Sequence, residues 1–381
     1  MHILYSHCNL GAPPSRDQGL KHPHSQPIPM QEKVKAAVAQ VSPVYMDKEA
    51  TVEKTIKSIE EAARSQAQIV VFSETHIPGY PYWRGANPIS KWSQNQVQYM
   101  KNAVSIPGPD IDALSQAARD NEIVAVVGCT EMSDQPGSNT LYNTILFIDA
   151  DGALLGRHRK LMPTHGERTV WGQGDSRDLK TFKTSIGTVG GLVCYEHHMT
   201  LTKAAMAYLG EEIHCALWDG YWVMDWHPGK KRRFRDGDNP YLCDIDYAVR
   251  EYAIETQSFV LSACQYIPDE QMPEDTKDFN IASGGSSIVN PAGIYLVQPT
   301  FNSETILYAE LDQDDRRHTK AYLDALGHYA RWDLLRLDIR GEANLPFAKP
   351  NISYGRVRRV AEKHGVDPDK LEEMIRDLEE E

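Results

Sequence analysis

The sequence has no apolar run of ~18 residues, the length a membrane-crossing helix needs. Its opening stretch, Met1 to Arg16, carries Pro13, Pro14 and several polar residues where a secretory signal would be continuously apolar. It also lacks any CxxC spacing. The six cysteines (Cys8, Cys129, Cys194, Cys215, Cys243 and Cys264) are scattered along 381 residues. This argues against a disulfide framework or a zinc ribbon, and reduced thiols in a cytoplasmic protein are expected. Positive charge is short as well. The 40 Lys and Arg face 53 Asp and Glu, a formal net charge of -13. Such a surface repels phosphate, so no nucleic-acid partner is expected. With 41% hydrophobic and 24% charged residues, the chain is globular in composition and long enough for a sizeable core.

Residues 1–30 are rich in proline and histidine, including His22, Pro23, His24, Pro27 and Pro29. They give a core little to pack and read as a flexible extension, with an alternative start at Met30. A proline-rich segment cannot hold metal ligands in fixed geometry, so His22 and His24 are read as solvated. Beyond it, strands and helices alternate. Strands are expected at Val34–Val41, Gln68–Glu74, Ile123–Met132, Tyr142–Ile148, Ala153–His158, Thr188–Cys194, Ile213–Trp218, Phe259–Tyr266 and Thr305–Leu311, with a hairpin at Ser286–Val289 and Ile294–Pro299. Helices are expected at Val44–Ala67, Lys91–Val104, Asp110–Asn121, Met199–Leu209 and Tyr241–Thr256. Asp149-Ala150-Asp151-Gly152 is a hairpin turn signal. The alternation predicts a layered α/β domain with mixed sheets, covering residues 31–345 without a linker. Residues 346–381 form a charged, helix-prone tail.

Three apolar strands end in a polar, reactive residue, the place where open α/β sheets bind ligands. Ile69-Val70-Val71-Phe72-Ser73 leads to Glu74. Gly156-Arg157-His158-Arg159 leads to Lys160. Gly190-Gly191-Leu192-Val193 leads to Cys194. A free thiol has a pKa of ~8.5 and becomes a nucleophile when a base takes its proton or a cation stabilises the anion. A partly buried glutamate can be that base, because burial raises its pKa toward neutrality. Each residue alone reads as ordinary: a buried cysteine, a strand-end charge, a basic surface loop. Cys129, Cys215 and Cys264 lie inside apolar strands, Cys243 in a helix, and all four are read as structural.

Together the segments resemble the nitrilase (carbon–nitrogen hydrolase) superfamily, from about Lys33 to about Leu337. Phe72-Ser73-Glu74 with Pro78-Gly79-Tyr80-Pro81 is similar to that family's glutamate segment. Arg157 to Thr164, extended by Glu167-Arg168 and Trp171-Gly172-Gln173-Gly174-Asp175, is similar to its lysine segment. Gly190 to Cys194 with Glu196 is similar to its cysteine segment. Tyr142-Asn143-Thr144, Gly284-Gly285-Ser286 and Gly327-His328-Tyr329-Ala330-Arg331 add to the likeness. The lysine segment and the Gly327 motif resemble the true nitrilase branch. Tyr195 stands where tryptophan is usual, His197 where asparagine is common and Trp332 where proline is usual. Trp218-Asp219-Gly220-Tyr221-Trp222 is atypical, so the substrate class stays open.

The resemblance implies a four-layer α-β-β-α sandwich with two mixed β-sheets, dimerising to an eight-layer assembly and in this branch often extending to helical filaments. It implies a catalytic set of Glu74, Lys160 and Cys194, with Glu167 orienting the lysine. Attack on a nitrile would give a thioimidate, then a thioester, then the acid, aided by the Tyr195 backbone N–H. Tyr80, Trp83, Trp171, Tyr195, Glu196 and His197 are candidate pocket residues, with Glu196 and His197 alternatively bonding to backbone. No metal or organic cofactor is implied. His197 and His198 are adjacent, so their side chains point apart, and no third ligand is near. Amide or carbamoyl hydrolysis, cyanide hydrolysis and a silent binding or filament protein remain as alternatives.

Overall fold

The computed structural model describes residues 30–224, 231–274, 276, 280–335 and the isolated positions 337, 339, 367 and 370. The extension before Met30 lies outside the described residues, and so does nearly all of the tail. Met30 itself is buried, and its backbone N–H donates to Glu212 Oε1 at 3.4 Å. It therefore belongs to the core and not to the extension.

The elements in order are β1 (Lys33–Gln40), α1 (Lys48–Arg64), β2 (Ile69–Phe72), α2 (Ile89–Lys101), β3 (Val104–Ser105), α3 (Pro109–Asp120), β4 (Val124–Met132), β5 (Leu141–Ile148), β6 (Leu154–Arg159), β7 (Phe182–Thr184), β8 (Gly187–Val193), α4 (Thr200–Tyr208), β9 (Ile213–Trp218), β10 (Trp222–Met224), β11 (Lys231–Arg233), α5 (Asp244–Thr256), β12 (Phe259–Cys264), β13 (Gly284–Val289), β14 (Tyr295–Phe301), β15 (Thr305–Asp312) and α6 (Gln313–Tyr322). One sheet runs β15-β1-β2-β4-β5-β6, with β3 beside β4, and the other runs β14-β13-β12-β9-β8-β7. In each sheet three central strands are parallel, β1-β2-β4 and β8-β9-β12, and apart from the short parallel β3–β4 pair the flanking pairs are antiparallel.

Side-chain alternation builds the layers, because successive strand residues face opposite sides. Val34, Ala36 and Val38 of β1, with Ile69 and Val71 of β2, pack against Val189, Val193, Leu217 and Leu261 of the second sheet. The intervening Ala37, Ala39, Val70 and Phe72 face Val52 and Ile59 of α1 and Leu114 and Ala118 of α3. On the far side Met206 of α4 and Ile245, Val249 and Tyr252 of α5 cover the second sheet. The result is a layered α-β-β-α domain with two mixed sheets. Among the described residues, no helix is long and apolar enough to cross a membrane.

Several boundaries differ from expectation for local reasons. The first helix begins at Lys48 and not near Val44, because Asp47 caps it by accepting from Ala50 N at 3.0 Å. Cys243 is not inside a helix. It is the N-cap of α5, with its sulfur accepting from Ile245 N. Between β9 and α5, where no strand was expected, the short β10 and β11 pair antiparallel. α6 was not expected, since its sequence QDDRRHTKAY has no apolar stripe.

Candidate active site

Glu74 follows β2, Lys160 follows β6, Cys194 follows β8 and Asp219 follows β9. Two come from each sheet, and all four are buried. Alternation explains why Lys160 is not in a basic surface loop. Arg157 and Arg159 share one face of β6 and both bind Glu131, at 2.5 and 2.6 Å. His158 and Lys160 therefore face the other way, into the space between the sheets.

The Lys160 ammonium donates to Glu74 Oε1 at 3.0 Å and Glu167 Oε2 at 2.8 Å. Asn143 Nδ2 donates to the same Glu74 oxygen at 2.7 Å, while Glu74 Oε2 has no hydrogen-bond partner. Glu167 lies in a 3-10 turn, His165–Thr169, that begins with a capping box. Its carboxylate accepts from Thr164 N at 2.7 Å and from the Tyr80 hydroxyl at 2.6 Å. It is thus buried and not in a surface pair with Arg168, whose Nε donates to Pro163 O. Single ligand atoms of Glu74, Glu167 and Cys194 all lie within 4.8 Å of one another. Such a trio could hold a metal, but Lys160 binds both carboxylates and is itself the cation of the cluster.

Cys194 turns the chain from β8 into a 3-10 helix, Cys194–His198, with φ of 52°. That left-handed conformation costs a non-glycine residue on the order of 1–3 kcal/mol and lifts the thiol off the strand line. Gly191 precedes it because a Cβ there would meet the Cys215 carbonyl at 2.8 Å.

Burial dominates the electrostatics. Desolvation raises Glu74 to about 8, with Lys160 opposing it and Asp219 and Glu167 adding to it. The Cys194 thiol is pushed up by burial, eased by Lys160, and raised again by Glu74 and Asp219. For Lys160, burial favours the neutral amine, but Glu167, Glu74 and Cys194 together hold its pKa well above the usual lysine value. The cluster therefore joins a protonated thiol, a carboxyl with an unoccupied acceptor oxygen and a fixed ammonium. It can accept a thiol proton and stabilise negative charge beside the sulfur.

Asp219 was missed as a site residue. Its Oδ1 lies 4.0 Å from Cys194 Sγ, and its pKa is raised to about 6, first by burial and then by Glu167. Its sequence signal was like that of Glu74 and Cys194, a polar residue at the end of an apolar strand, here Ile213–Trp218.

Of the candidate pocket residues, Trp83 lines a cavity of about 1010 Å³ together with Tyr82, Arg84 and His165. The Tyr82 hydroxyl ties that wall to the cluster by donating to the Asp219 carbonyl at 2.5 Å. Tyr80 and Trp171 pack edge to face behind it, 5.6 Å between ring centres. Tyr195, Glu196 and His197 point elsewhere. The Tyr195 hydroxyl donates to Asp244. Glu196 accepts from Val193 N, Leu161 N and His158 Nε2. His197 bonds the Cys194 carbonyl. The reason is the tight 3-10 turn, which carries the side chains after Cys194 behind it.

Residues 35–321 match the carbon–nitrogen hydrolase family. The chain is similar to an aliphatic nitrilase of Sinorhizobium fredii (strain HH103), 37% identical over 327 residues that cover 81% of this chain and 96% of that protein. It is similar to nitrilase 2 of Arabidopsis thaliana, 34% identical over 330 residues covering 82% and 90% respectively. Its fold is similar to that of Saccharomyces cerevisiae Nit3, a member of branch 10 of the nitrilase superfamily, with a TM-score of 0.61, 21% identity and coverage of 79% of this chain and 97% of that one. The family match spans most of the chain, the relatives are matched over nearly their whole length, and the two-sheet sandwich agrees with both; the chain belongs to the carbon–nitrogen hydrolase family, in its nitrilase branch.

Proposed function

We propose that this protein hydrolyses an organic nitrile to its carboxylic acid and ammonia, with Cys194 as nucleophile, Glu74 as base, Lys160 as the charge-stabilising cation and Glu167 as the residue that orients Lys160. The observation that carries this is the unpartnered Oε2 of a buried Glu74 in the same cluster as the thiol. A buried carboxylate oxygen with no donor is costly, and the thiol proton is the donor it lacks. The proton passes to Glu74 as sulfur attacks the nitrile carbon. The electron pair released onto nitrogen is stabilised by Lys160 and the Tyr195 N–H, then protonated to give the thioimidate. Water adds, ammonia leaves and a thioester remains. A second water, activated by Glu74, releases the acid and restores the thiol.

The cavity beside Trp83 is the substrate pocket in this reading. Residues 1–29 and 346–381 are an extension and a tail on the hydrolase domain, with Met30 in its core. The described cysteines are all unpaired, consistent with a reducing cytoplasm. Leu201 and Tyr208 on α4 and Tyr247 and Ile254 on α5 are exposed together, and that apolar helical face supports a homodimer or larger homo-oligomer, including filaments.

Ammonia release from aliphatic nitriles, aromatic nitriles, the matching amides and cyanide tests the reaction, with Cys194→Ala as control. Release from organic nitriles that is absent in the variant is expected. Release from amides alone or cyanide alone overturns the substrate class, and release from none overturns the enzyme.

A further inference from the structure

Behind Cys194, on the side away from Glu74 and Lys160, runs a line of buried polar groups that the proposed reaction does not use. His197 Nδ1 lies 2.6 Å from the Cys194 carbonyl oxygen. His197 Nε2 lies 2.9 Å from His214 Nε2. His214 Nδ1 lies 2.8 Å from Glu211 Oε1, and the Tyr252 hydroxyl donates to Glu211 Oε2 at 2.6 Å. All four side chains are at most 1% exposed. The absent side chain of Gly190 leaves the room that the Glu211 carboxylate fills.

Donor and acceptor capacity fixes the direction of the line. A carbonyl only accepts, so His197 Nδ1 carries a hydrogen. Burial, reinforced by the charge of His214, holds the His197 pKa well below its ordinary value, so the ring is neutral and its Nε2 is a bare acceptor. His214 must then donate from Nε2. A carboxylate oxygen cannot face a bare ring nitrogen at 2.8 Å, so a proton lies between His214 Nδ1 and Glu211. Every bond in the line thus points its hydrogen toward the nucleophile's carbonyl or is anchored on Glu211.

That carbonyl belongs to the same peptide unit as the Tyr195 N–H. A hydrogen bond to the oxygen of a peptide polarises its N–H and fixes the plane of the group. We propose that His197, held by His214 and Glu211, is a positioning residue that fixes and polarises the Cys194–Tyr195 peptide so that its N–H meets the charge developing on the substrate. This rests on the hydrolytic reading above, in which that N–H faces the reacting nitrogen or oxygen. It also accounts for a histidine placed next to the nucleophile but turned away from the pocket.

The test separates turnover from simple thiol reactivity. Alkylation by iodoacetamide needs the Cys194 sulfur but no donor for a developing anion, whereas hydrolysis needs both. In the full chain, His197→Leu is expected to lower kcat on the order of 10- to 100-fold, below the ~10²–10³ of deleting a direct oxyanion donor. KM should stay within about threefold and the Cys194 alkylation rate within about twofold, because neither uses that donor. His197→Asn keeps a side-chain N–H for the carbonyl and should recover most of the lost kcat with alkylation unchanged. If His197→Leu does not fold, the Asn variant decides on the same two rates. Turnover within about twofold of wild type in the Leu variant overturns the proposal, since a polarising donor is worth more. So does a parallel fall of alkylation and turnover in either variant, which marks a packing role. Wild type is run on nitriles and amides alike. If it turns over only amides, the nitrile reading fails while the His197 test is still read on amides.

Discussion

Glu74 and Glu196 are both glutamates just beyond the ends of strands, one in each sheet, both fully buried, and their pKa values move in opposite directions. Burial raises Glu74 to about 8. Burial acts on Glu196 too, but the charge and hydrogen bond of His158 and the backbone N–H groups of Leu161 and Val193 outweigh it and lower its pKa. The difference is bookkeeping of donors. Both oxygens of Glu196 are occupied, whereas Oε2 of Glu74 has no partner. A satisfied buried carboxylate is a strut, here tying the end of β8 to the segment after β6, and an unsatisfied one is poised to take a proton.

The largest break in this comparison is in turnover. Glu74→Gln keeps shape and the acceptor for Lys160 but removes the proposed base. Nitrile hydrolysis should fall on the order of 10³-fold or more, near the upper range for general base catalysis. The melting temperature should hold or rise, since a raised pKa marks a carboxylate that burial penalises. Glu196→Gln should do the reverse. Losing one partner of a buried, hydrogen-bonded ion pair costs about 3–5 kcal/mol, read as a lower urea midpoint. Its kcat should fall only as the Lys160–Cys194 spacing loosens. A Glu196→Gln protein as stable as wild type would sink the division of roles.

Stability against pH sharpens the same contrast. The Glu196 pKa is lowered on folding, so its contribution is present above the unfolded value and is lost as pH falls through the folded one. His158 is raised despite its burial, through Glu196, so its contribution is full below its unfolded pKa and is lost as pH rises through the folded one. The pair stabilises most between those limits. Glu74 is raised, so the native state holds its proton more tightly. Its term declines as pH rises from the unfolded carboxylate range to about 8. Urea midpoints across pH should therefore lose their acid-side fall in Glu196→Gln and part of their decline between the carboxylate range and about pH 8 in Glu74→Gln.

Much of this was legible in the sequence because strand ends announce themselves. The apolar runs before Glu74 and Cys194 gave two of the strands, the return from the Asp149–Gly152 turn gave the strand before Lys160, and the ends of all three gave the residues that the fold brings together. The outward turn of Arg157 and Arg159 and the inward turn of Lys160 follow from period-two alternation, provided the strand is recognised. Other features were hidden because they depend on distant partners. α6 is polar throughout and is held by contacts such as Arg316 Nε donating to Gln257 O. The short β7 exists only as a partner for β8. The His197–His214–Glu211 line joins residues from a 3-10 turn, a strand and the segment before that strand, and no spacing rule predicts their meeting.

Asp219 offers the finest test, because it sits on the unsatisfied side of the comparison and acts only through charge. Its carboxylate adds to the rise of both the Glu74 and the Cys194 pKa. In the proposed reaction Glu74 acts in its basic form, so the acid limb of kcat/KM in wild type should follow an ionisation near the value of about 8 held by Glu74. Asp219→Asn preserves shape and removes the charge, which should let both groups ionise more easily. The acid limb should then move to lower pH. At neutral pH iodoacetamide should label Cys194 faster, on the order of 2- to 5-fold, because more of the thiol is ionised. A limb that moves to higher pH, with slower labelling, would instead make Asp219 the group that receives the thiol proton. The contact of 4.0 Å from Sγ to Oδ1 is too long for a strong hydrogen bond, and for that reason the charge effect is expected to win.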